Sequence, residues 1–303
     1  MKEHNNRKKA NQFAEYITGK ELRKYLADKI NRYCGKAVSV FDGAAGSGQL
    51  EQYLKLKEFH AVEIQEEACE ALKYNYPKAI VSNTSFFQYD SDYQADAVVM
   101  NPPFSLKFKD LSEDDRQAVQ LEFPWKNSGN VDDIFLLKSL KYTKRFAFYI
   151  MFPGITYRAA EKKMRELVGN RLVELNIIEN AFEDTKINVA FIVIDKKKTI
   201  NEYYSEIYDC KAKEIIYQET QELDNDYSWH LPNKPIEKEK IDIDCVNKEL
   251  DEIALMNLKQ HLASQLLVIQ VFEANIDYLG FIERCRELLT QYELEYSFEV
   301  QVV

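Results

Sequence analysis

Short apolar runs along the chain alternate with stretches in which apolar residues recur every three or four positions. The apolar runs predict strands at residues 37–41, 59–64, 79–82, 95–100, 145–152, 172–178 and 190–194. The periodic stretches predict helices at residues 11–33, 49–57, 66–76, 132–142 and 157–168. Strands and helices that alternate in this way favour an α/β fold, in which a parallel sheet carries helices on both faces.

Two parts of the chain depart from this alternation. Residues 105–130 show neither period and are predicted to form an irregular, charged insertion after the fourth strand. The three lysines at 196–198 are expected to end the sheet, because the residues that follow them lack the alternation. We therefore expect a basic helical segment at 1–36, a sheet domain at 37–200 and an acidic, mainly helical region at 201–303.

The charge of the chain follows the same division. The 303 residues carry a net charge of -10, but residues 1–36 carry +6, residues 37–200 carry -3 and residues 201–303 carry -13. A net negative protein is not attracted as a whole to DNA or to an anionic membrane. Because residues 1–200 together carry +3, the overall charge does not exclude DNA as a partner.

Composition narrows the class of protein further. With 46% hydrophobic residues the chain can bury a sizeable core. Its five cysteines are scattered without a CxxC pair, so we expect neither a disulfide framework nor a metal site. We find no signal peptide and no apolar run long enough to span a bilayer, so we expect a cytoplasmic protein with no membrane partner.

A glycine-rich turn, DGAAGSG at residues 42–48, follows the first predicted strand. Glycine lets the backbone approach a ligand closely, although a tight connection that binds nothing would have the same composition. The spacing GxxGxG also differs from the dinucleotide fingerprint GxGxxG. Glu63 ends the second strand, where it is either an exposed charge or a carboxylate that can accept two hydroxyl hydrogen bonds.

Asn101-Pro102-Pro103-Phe104 directly follows the fourth strand. The two prolines end the strand and restrict the backbone, but a rigid turn explains neither the amide before them nor the aromatic ring after them. The side-chain oxygen of Asn101 and the carbonyl of Pro102 can accept the two protons of a purine amine, which frees the lone pair on nitrogen. Phe104 can stack on the base, which must be flipped out of a duplex to enter such a pocket.

The glycine turn resembles motif I of class I S-adenosylmethionine-dependent methyltransferases. The order of all the motifs resembles that of the gamma class of N6-adenine DNA methyltransferases, over about residues 12–198. The resemblance implies a Rossmann-like domain, S-adenosylmethionine as cofactor and methyl transfer to the N6 amine of a flipped adenine in DNA. It implies catalytic roles for Asn101, Pro102, Pro103 and Phe104. It also implies cofactor contacts for Tyr16, Thr18, Asp42, Gly43, Ala44, Gly46, Gly48, Glu63, Ile64, Ser85 and Phe86.

Some of these roles are more specific. Tyr16 and Thr18 lie in a segment that resembles motif X, which lines the methionine end of the cofactor. The resemblance assigns the ribose hydroxyls to Glu63. Ser85 stands where the family has an aspartate that binds the adenine half, with Phe86 beside the adenine ring. Asp90 would take the place of that aspartate if the register shifted.

Residues 135–140, 152–154, 164–167 and 182–185 are similar to the modification subunits of type I restriction systems, although the chain is too short to carry their N-terminal helical domain. The resemblance implies an enzyme of a bacterium, a phage or a mobile element. The acidic region at 201–303 then has three interpretations: a helical cap on the catalytic domain, a binding site for a specificity subunit or other protein, or a mimic of DNA.

The insertion carries side chains suited to contact DNA next to the catalytic motif, although an ordinary surface loop would carry similar ones. These are Lys107, Lys109, Arg116, Trp125, Lys126 and Asn127. The basic residues near the start of the chain allow the same two interpretations.

Two other functions stay open. The Asn-Pro-Pro-aromatic motif also serves enzymes that methylate guanine amines in RNA or a glutamine amide in release factors. A non-catalytic protein that keeps the fold, as a binding or anti-restriction module, is a further alternative. The absence of a Pro-Cys dipeptide argues against a cytosine-C5 methyltransferase, which needs a thiol nucleophile.

Overall fold

The computed structural model of the chain describes residues 18–182, 187–234, 242–273, 275 and 277–296. The chain divides into two compact units, residues 1–234 and residues 235–303. The predicted strands, helices and motifs lie in the first unit, apart from the helical period beyond residue 245. Tyr16 and most of the segment at 182–185 lie outside the described residues.

The described residues of the first unit form nine strands and five α-helices. The strands are β1 (Val38–Asp42), β2 (Leu56–Glu63), β3 (Ile80–Asn83), β4 (Ala95–Met100), β5 (Thr143–Met151), β6 (Leu172–Glu179), β7 (Val189–Asp195), β8 (Glu202–Asp209) and β9 (Glu214–Glu222). The helices are α1 (Lys20–Cys34), α2 (Glu66–Asn75), α3 (Glu113–Glu122), α4 (Asp132–Ser139) and α5 (Lys162–Val168).

All nine strands belong to one sheet in the order β3-β2-β1-β4-β5-β7-β6-β8-β9. The strands from β3 to β5 run parallel, as predicted, and so do β6 and β8. The sheet is mixed at its other end, where β7 is antiparallel to both of its neighbours and β9 is antiparallel to β8. The chain between β6 and β7 is too short for the helical crossover that joins parallel strands.

The core lies on both faces of the sheet, as an α/β fold requires. Successive residues of a strand point to opposite faces, so Val98 belongs to one buried cluster and Val99 to the other. Helix α4 contributes Phe135 to the first cluster, and helix α1 contributes Leu26 to the second. The apolar period of each helix is thus explained by the face of the sheet that the helix covers.

Three predicted segments differ in the structure. Residues 50–54 form turns rather than the helix predicted at 49–57, because β2 already begins at Leu56. The insertion is not irregular: it contains α3, whose N-cap Ser112 accepts a hydrogen bond from the N–H of Asp115. The helix predicted at 157–168 is a 3-10 turn at Ala159–Glu161 followed by α5.

The predicted end of the sheet at residues 196–198 is also wrong. Strands β8 and β9 follow those lysines and extend the same sheet to Glu222. They contain the charged and tyrosine-rich segment whose period was not recognisable in the sequence. The sheet-containing unit therefore extends past the expected boundary at residue 200, to about residue 234.

In the second unit the described residues form the helices α6 (Ile243–Phe272) and α7 (Tyr278–Tyr296). No residue of α6 is buried, although the helix is rich in apolar side chains such as Leu250, Ile253 and Met256. Neither these helices nor any other described helix combines the length and the apolar composition that crossing a bilayer requires.

A buried ionic network attaches α1 to the sheet. The Nζ of Lys29 lies 2.6 Å from Oε2 of Glu174 on β6 and 3.0 Å from Oε1 of Glu206 on β8. The hydroxyl of Tyr25 donates to the same Glu206 oxygen, and Asn176 donates to Glu174. Helix α1 begins two residues after Thr18. The network therefore anchors to the sheet the helix that directly follows Thr18.

We expect Lys29→Ala to destabilise the first unit by about 3–5 kcal/mol, because it leaves two buried carboxylates without their cation. Urea unfolding monitored by circular dichroism measures the change. Lys24→Ala is the matched control, since Lys24 pairs with Glu21 at the surface of the same helix. Equal midpoints for both variants would contradict the structural role assigned to the network.

Candidate active site

A cavity of about 380 Å³ lies at the carboxyl ends of β1, β2 and β4, within the size range of ligand pockets. Parallel strands end at one edge of a sheet, so Asp42, Glu63 and Asn101 all reach this cavity. Of the residues predicted to form the site, those that line it are Thr18, Asp42, Gly43, Ala44, Gly46, Glu63, Ile64, Ser85, Phe86, Asn101, Pro102, Pro103 and Phe104.

The glycine turn is held in place by the two strand-end carboxylates. The N–H of Ala44 donates to Oδ1 of Asp42 at 2.8 Å, and the N–H of Gly46 donates to Oε2 of Glu63 at 2.9 Å. The other oxygen of Glu63 accepts from the N–H of Gln65 at 2.8 Å. Backbone donors thereby fix both carboxylates. Gly46 has a φ of +52°, and there is open space where a Cβ would lie.

Two glycines of the turn are required by packing. A Cβ on Gly43 would lie 2.5 Å from the ring of Phe86. A Cβ on Gly48 would lie 2.5 Å from the ring of Tyr76, whose hydroxyl donates to the Gly48 carbonyl. Gly48 is not among the residues that line the cavity, so its predicted cofactor contact is not supported and Tyr76 accounts for the glycine.

The side chain of Asn101 is oriented by Thr18. Its Nδ2 donates to Oγ1 of Thr18 at 3.0 Å, while its Oδ1 is buried and has no hydrogen-bond partner in the described part of the protein. An unsatisfied buried acceptor costs about 1–3 kcal/mol. A donor that enters the cavity can remove this cost, so Oδ1 marks a position suited to an amine proton.

The residues that follow Asn101 form the adjoining wall of the cavity. Pro102 is buried and Pro103 half-buried, and the ring of Phe104 is 6% exposed within the core cluster on one face of the sheet. The Phe104 carbonyl accepts a hydrogen bond from Nδ2 of Asn130. Asn130 was missed in the sequence, where nothing distinguishes it from any other polar loop residue.

The segment predicted to hold the adenine half of the cofactor is mostly engaged in packing. Oγ of Ser85 accepts from the N–H of Phe87, and the ring of Phe86 stacks on Phe135 with centroids 5.2 Å apart. Asp90, the proposed substitute for the missing aspartate, pairs with Lys141 at the surface and does not line the cavity.

The insertion completes the cavity, which the sequence did not indicate. Its residues that line the cavity are Leu106, Asp110, Leu111, Ser112 and Asp115. Of the side chains predicted to contact DNA, Lys107, Lys109 and Asn127 are exposed. Lys126 is not available, because it is buried and its Nζ lies 2.7 Å from both oxygens of Asp133.

Two buried carboxyl groups lie beneath the glycine turn. Burial raises the pKa of Asp42 to about 7, and the charge of Glu63 acts in the same direction. Burial and the neighbouring Asp42 raise the pKa of Glu51 well above its usual value. In the described structure neither oxygen of Glu51 has a hydrogen-bond partner other than Asp42. A proton held by Glu51 and donated to Asp42 forms a hydrogen bond between the two carboxyl groups.

No cluster of His, Cys, Asp and Glu side chains within the described residues is arranged to hold a metal ion. The arrangement instead combines a backbone turn, the strand-end carboxylates of Asp42 and Glu63, and the amide oxygen of Asn101, which lacks a partner among the described residues. Such a site can bind a cationic, hydroxyl-bearing ligand and orient an amine beside it.

The comparison with protein families gives one match. The family model described as N-6 DNA Methylase matches residues 1–265. No curated protein matches the chain.

Solved structures share the fold. The methyltransferase subunit of a type I restriction-modification system from Streptococcus thermophilus has a TM-score of 0.54 at 19% identity, over 64% of this chain and 47% of that chain. A chain from a structure of a type I R-M system has a TM-score of 0.55 at 13% identity, over 85% of this chain and 66% of that chain. A putative class I S-adenosylmethionine-dependent methyltransferase from Listeria monocytogenes has a TM-score of 0.50 at 12% identity, over 64% of this chain and 65% of that chain. This chain thus spans about half the length of the Streptococcus subunit, and its first unit has the class I methyltransferase fold.

We expect the free energy of unfolding to fall as the pH rises from about 4 to 7. The pKa of Asp42 and that of Glu51 are higher in the folded state, so the folded protein binds more protons over this range. The slope is up to about 1.4 kcal/mol per pH unit for each extra proton. Urea unfolding at several pH values measures it.

Glu51→Gln should flatten this slope, because the glutamine amide donates to Asp42 without a titrating proton. Glu70→Gln, at an exposed position of α2, is the control and should leave the slope unchanged. Parallel slopes in the wild type and in Glu51→Gln would show that the two carboxyl groups do not share a proton.

Proposed function

Since the chain belongs to the N-6 DNA methylase family, we propose that it transfers a methyl group from S-adenosylmethionine to the N6 amine of an adenine in DNA. The observation that carries the proposal is the buried Oδ1 of Asn101, which lacks a partner in the described protein and lies in the cavity wall. An exocyclic amine is the kind of group that would satisfy this acceptor.

In this proposal Asn101 holds the amine and Thr18 holds Asn101. The amide oxygen accepts one amine proton, and the carbonyl of Pro102 accepts the other, which favours a pyramidal nitrogen with a free lone pair. S-adenosylmethionine supplies the electrophilic methyl group. The rigid Pro102-Pro103 turn fixes the amine relative to the cavity, and such positioning supplies much of the rate. Phe104, which is 6% exposed but lines the cavity, would contact the face of the flipped base.

The cofactor contacts remain part of the proposal. Asp42, Gly43, Ala44 and Gly46 would hold the methionine portion against the turn, and Glu63 with Ile64 the ribose. The contact between Thr18 and Asn101 supports a positioning role for Thr18 rather than the cofactor contact first expected. Tyr16 lies outside the described residues and keeps its proposed contact with the methionine end.

DNA contacts and sequence choice are a separate part of the proposal. Exposed Lys107, Lys109 and Asn127 adjoin the catalytic motif and suit phosphate contacts. The second unit, residues 235–303, holds 6 basic and 14 acidic side chains, and its net charge of -8 does not suit a surface that contacts phosphates. We therefore infer that the second unit binds a protein partner that supplies sequence specificity, in line with the type I R-M structures that the chain is similar to.

Asn101→Ala should lower methyl transfer by roughly 100-fold or more, because it removes an acceptor that acts on the reacting amine. The assay measures labelled methyl groups transferred to unmethylated genomic DNA, with and without extract of the source cells, and identifies N6-methyladenine by mass spectrometry. Asn225→Ala, at an exposed turn, is the control. Ribosomal RNA and protein acceptors run in parallel, and transfer to either of them instead of DNA would overturn the proposed substrate.

Thr18→Val should lower kcat about tenfold, the value of one neutral hydrogen bond, while the Kd for S-adenosylhomocysteine changes little. Thr18→Ser keeps the hydroxyl and should restore the rate. Single-turnover kinetics and isothermal titration calorimetry separate the two effects. A large rise in Kd with an unchanged rate would instead assign Thr18 to the cofactor.

A further inference from the structure

Asp115 is an acidic residue with no role so far. It lies in the first turn of α3 and is 7% exposed, and it lines the cavity together with Ser85. A buried carboxylate in a ligand cavity is costly unless protein or ligand donors hydrogen-bond to it.

Only one of its two oxygens is engaged within the described residues. Oδ1 accepts a hydrogen bond from Nε2 of Gln88 at 2.7 Å, and the Asp115 N–H is held by Oγ of Ser112. Oδ2 forms no hydrogen bond with another described residue, and it is not among the fully buried atoms that lack a partner. Gln88 therefore fixes the carboxylate and leaves one acceptor available to the cavity.

The other acidic or polar candidates in this part of the cavity are less suitable. Ser85 already accepts the N–H of Phe87, and Asp90 pairs with Lys141 outside the cavity. Asp110 lines the cavity but is exposed, so its carboxylate remains hydrated. Asp115 is the buried carboxylate that the insertion contributes to the cavity, and its neighbours Leu106 and Leu111 are apolar.

We infer that Asp115 recognises the adenine ring of S-adenosylmethionine, with Oδ2 accepting a hydrogen bond from the exocyclic amine of that ring. The inference rests on the cofactor part of the proposed function. An aspartate from the insertion thereby replaces the one that Ser85 lacks. The apolar side chains of Leu106 and Leu111 provide surface for the purine, and the carboxylate selects an amine over a keto group.

The test measures binding of two ligands that differ at this one position. S-adenosylhomocysteine has the amine, and S-inosylhomocysteine has a keto oxygen in its place. Isothermal titration calorimetry of the full chain gives both Kd values. The wild type should prefer the adenosine ligand by roughly 10- to 100-fold, because the keto oxygen would face the carboxylate and one charge-assisted hydrogen bond would be lost.

Asp115→Asn should reduce this preference to about threefold or less, since its amide can donate to the keto oxygen. Asp115→Ala should weaken S-adenosylhomocysteine while leaving the inosine ligand nearly unchanged. The control is Asp114→Asn, exposed on the same helix, which should keep the wild-type preference. Asp110→Asn tests the other aspartate of the insertion that lines the cavity. Thermal unfolding checks that each variant is folded.

Several results would overturn the inference. These are a wild type without preference, an Asp115→Asn variant that keeps the full preference, or a loss of preference in Asp110→Asn instead. If the wild type binds neither ligand, the cofactor part of the proposed function fails together with the inference. A failure of the DNA assay would leave the binding preference intact, so the two failures are distinguishable.

Discussion

The parallel alignment of β1, β2 and β4 is the constraint on which the site depends. Neighbouring parallel strands end at the same edge of the sheet, which brings Asp42, Glu63 and Asn101 together although they are distant in the sequence. The strands themselves are buried in their last residues, so the chemistry is confined to their ends. A change in strand order would separate the carboxylates from the amide, whatever the local motifs.

This concentration of polar groups carries an electrostatic cost. Asp42, Glu51 and Glu63 are all buried near one turn, and like charges at short range disfavour ionisation. The N–H groups of Ala44, Gly46 and Gln65 offset part of the cost, and a shared proton offsets more. S-adenosylmethionine is positively charged at its sulfur and its amine, so binding it would relieve the remaining repulsion. The same buried carboxylates that repel one another would therefore favour a cationic ligand.

The sequence was most informative where structure is decided locally. Ala95–Met100 was predicted with its observed bounds because a strand buried on both faces is a continuous apolar run, and the motif after it identified Asn101. Predictions failed where contacts between residues far apart in the sequence determine the local structure. The helix expected at 49–57 does not form, because β2 begins at Leu56, where it pairs with β1. Ser112 and Asp115 have the spacing of an N-cap residue and the residue whose N–H it accepts, but they lie in the segment predicted to be irregular.

The insertion shows why composition alone misjudged that segment. Lys126 looked like a surface charge, but it is buried because Asp133 compensates it, and no sequence pattern records that pairing. The insertion is also tied to its own base, where the N–H of Phe108 donates to Gly129 and that of Val131 to Leu106. It is therefore a fixed wall of the cavity and not a loose loop.

One segment thus combines cavity-lining residues with exposed lysines: Leu106 and Asp115 line the cavity, whereas Lys107 and Lys109 face solvent. If the cavity takes the cofactor and the lysines take DNA, both ligands contact the same segment. If one ligand favours a different geometry of this segment, it changes the affinity for the other ligand. The second ligand then changes the affinity for the first by the same free energy. Coupling between cofactor and DNA would follow from the position of the insertion and would need no separate regulatory element.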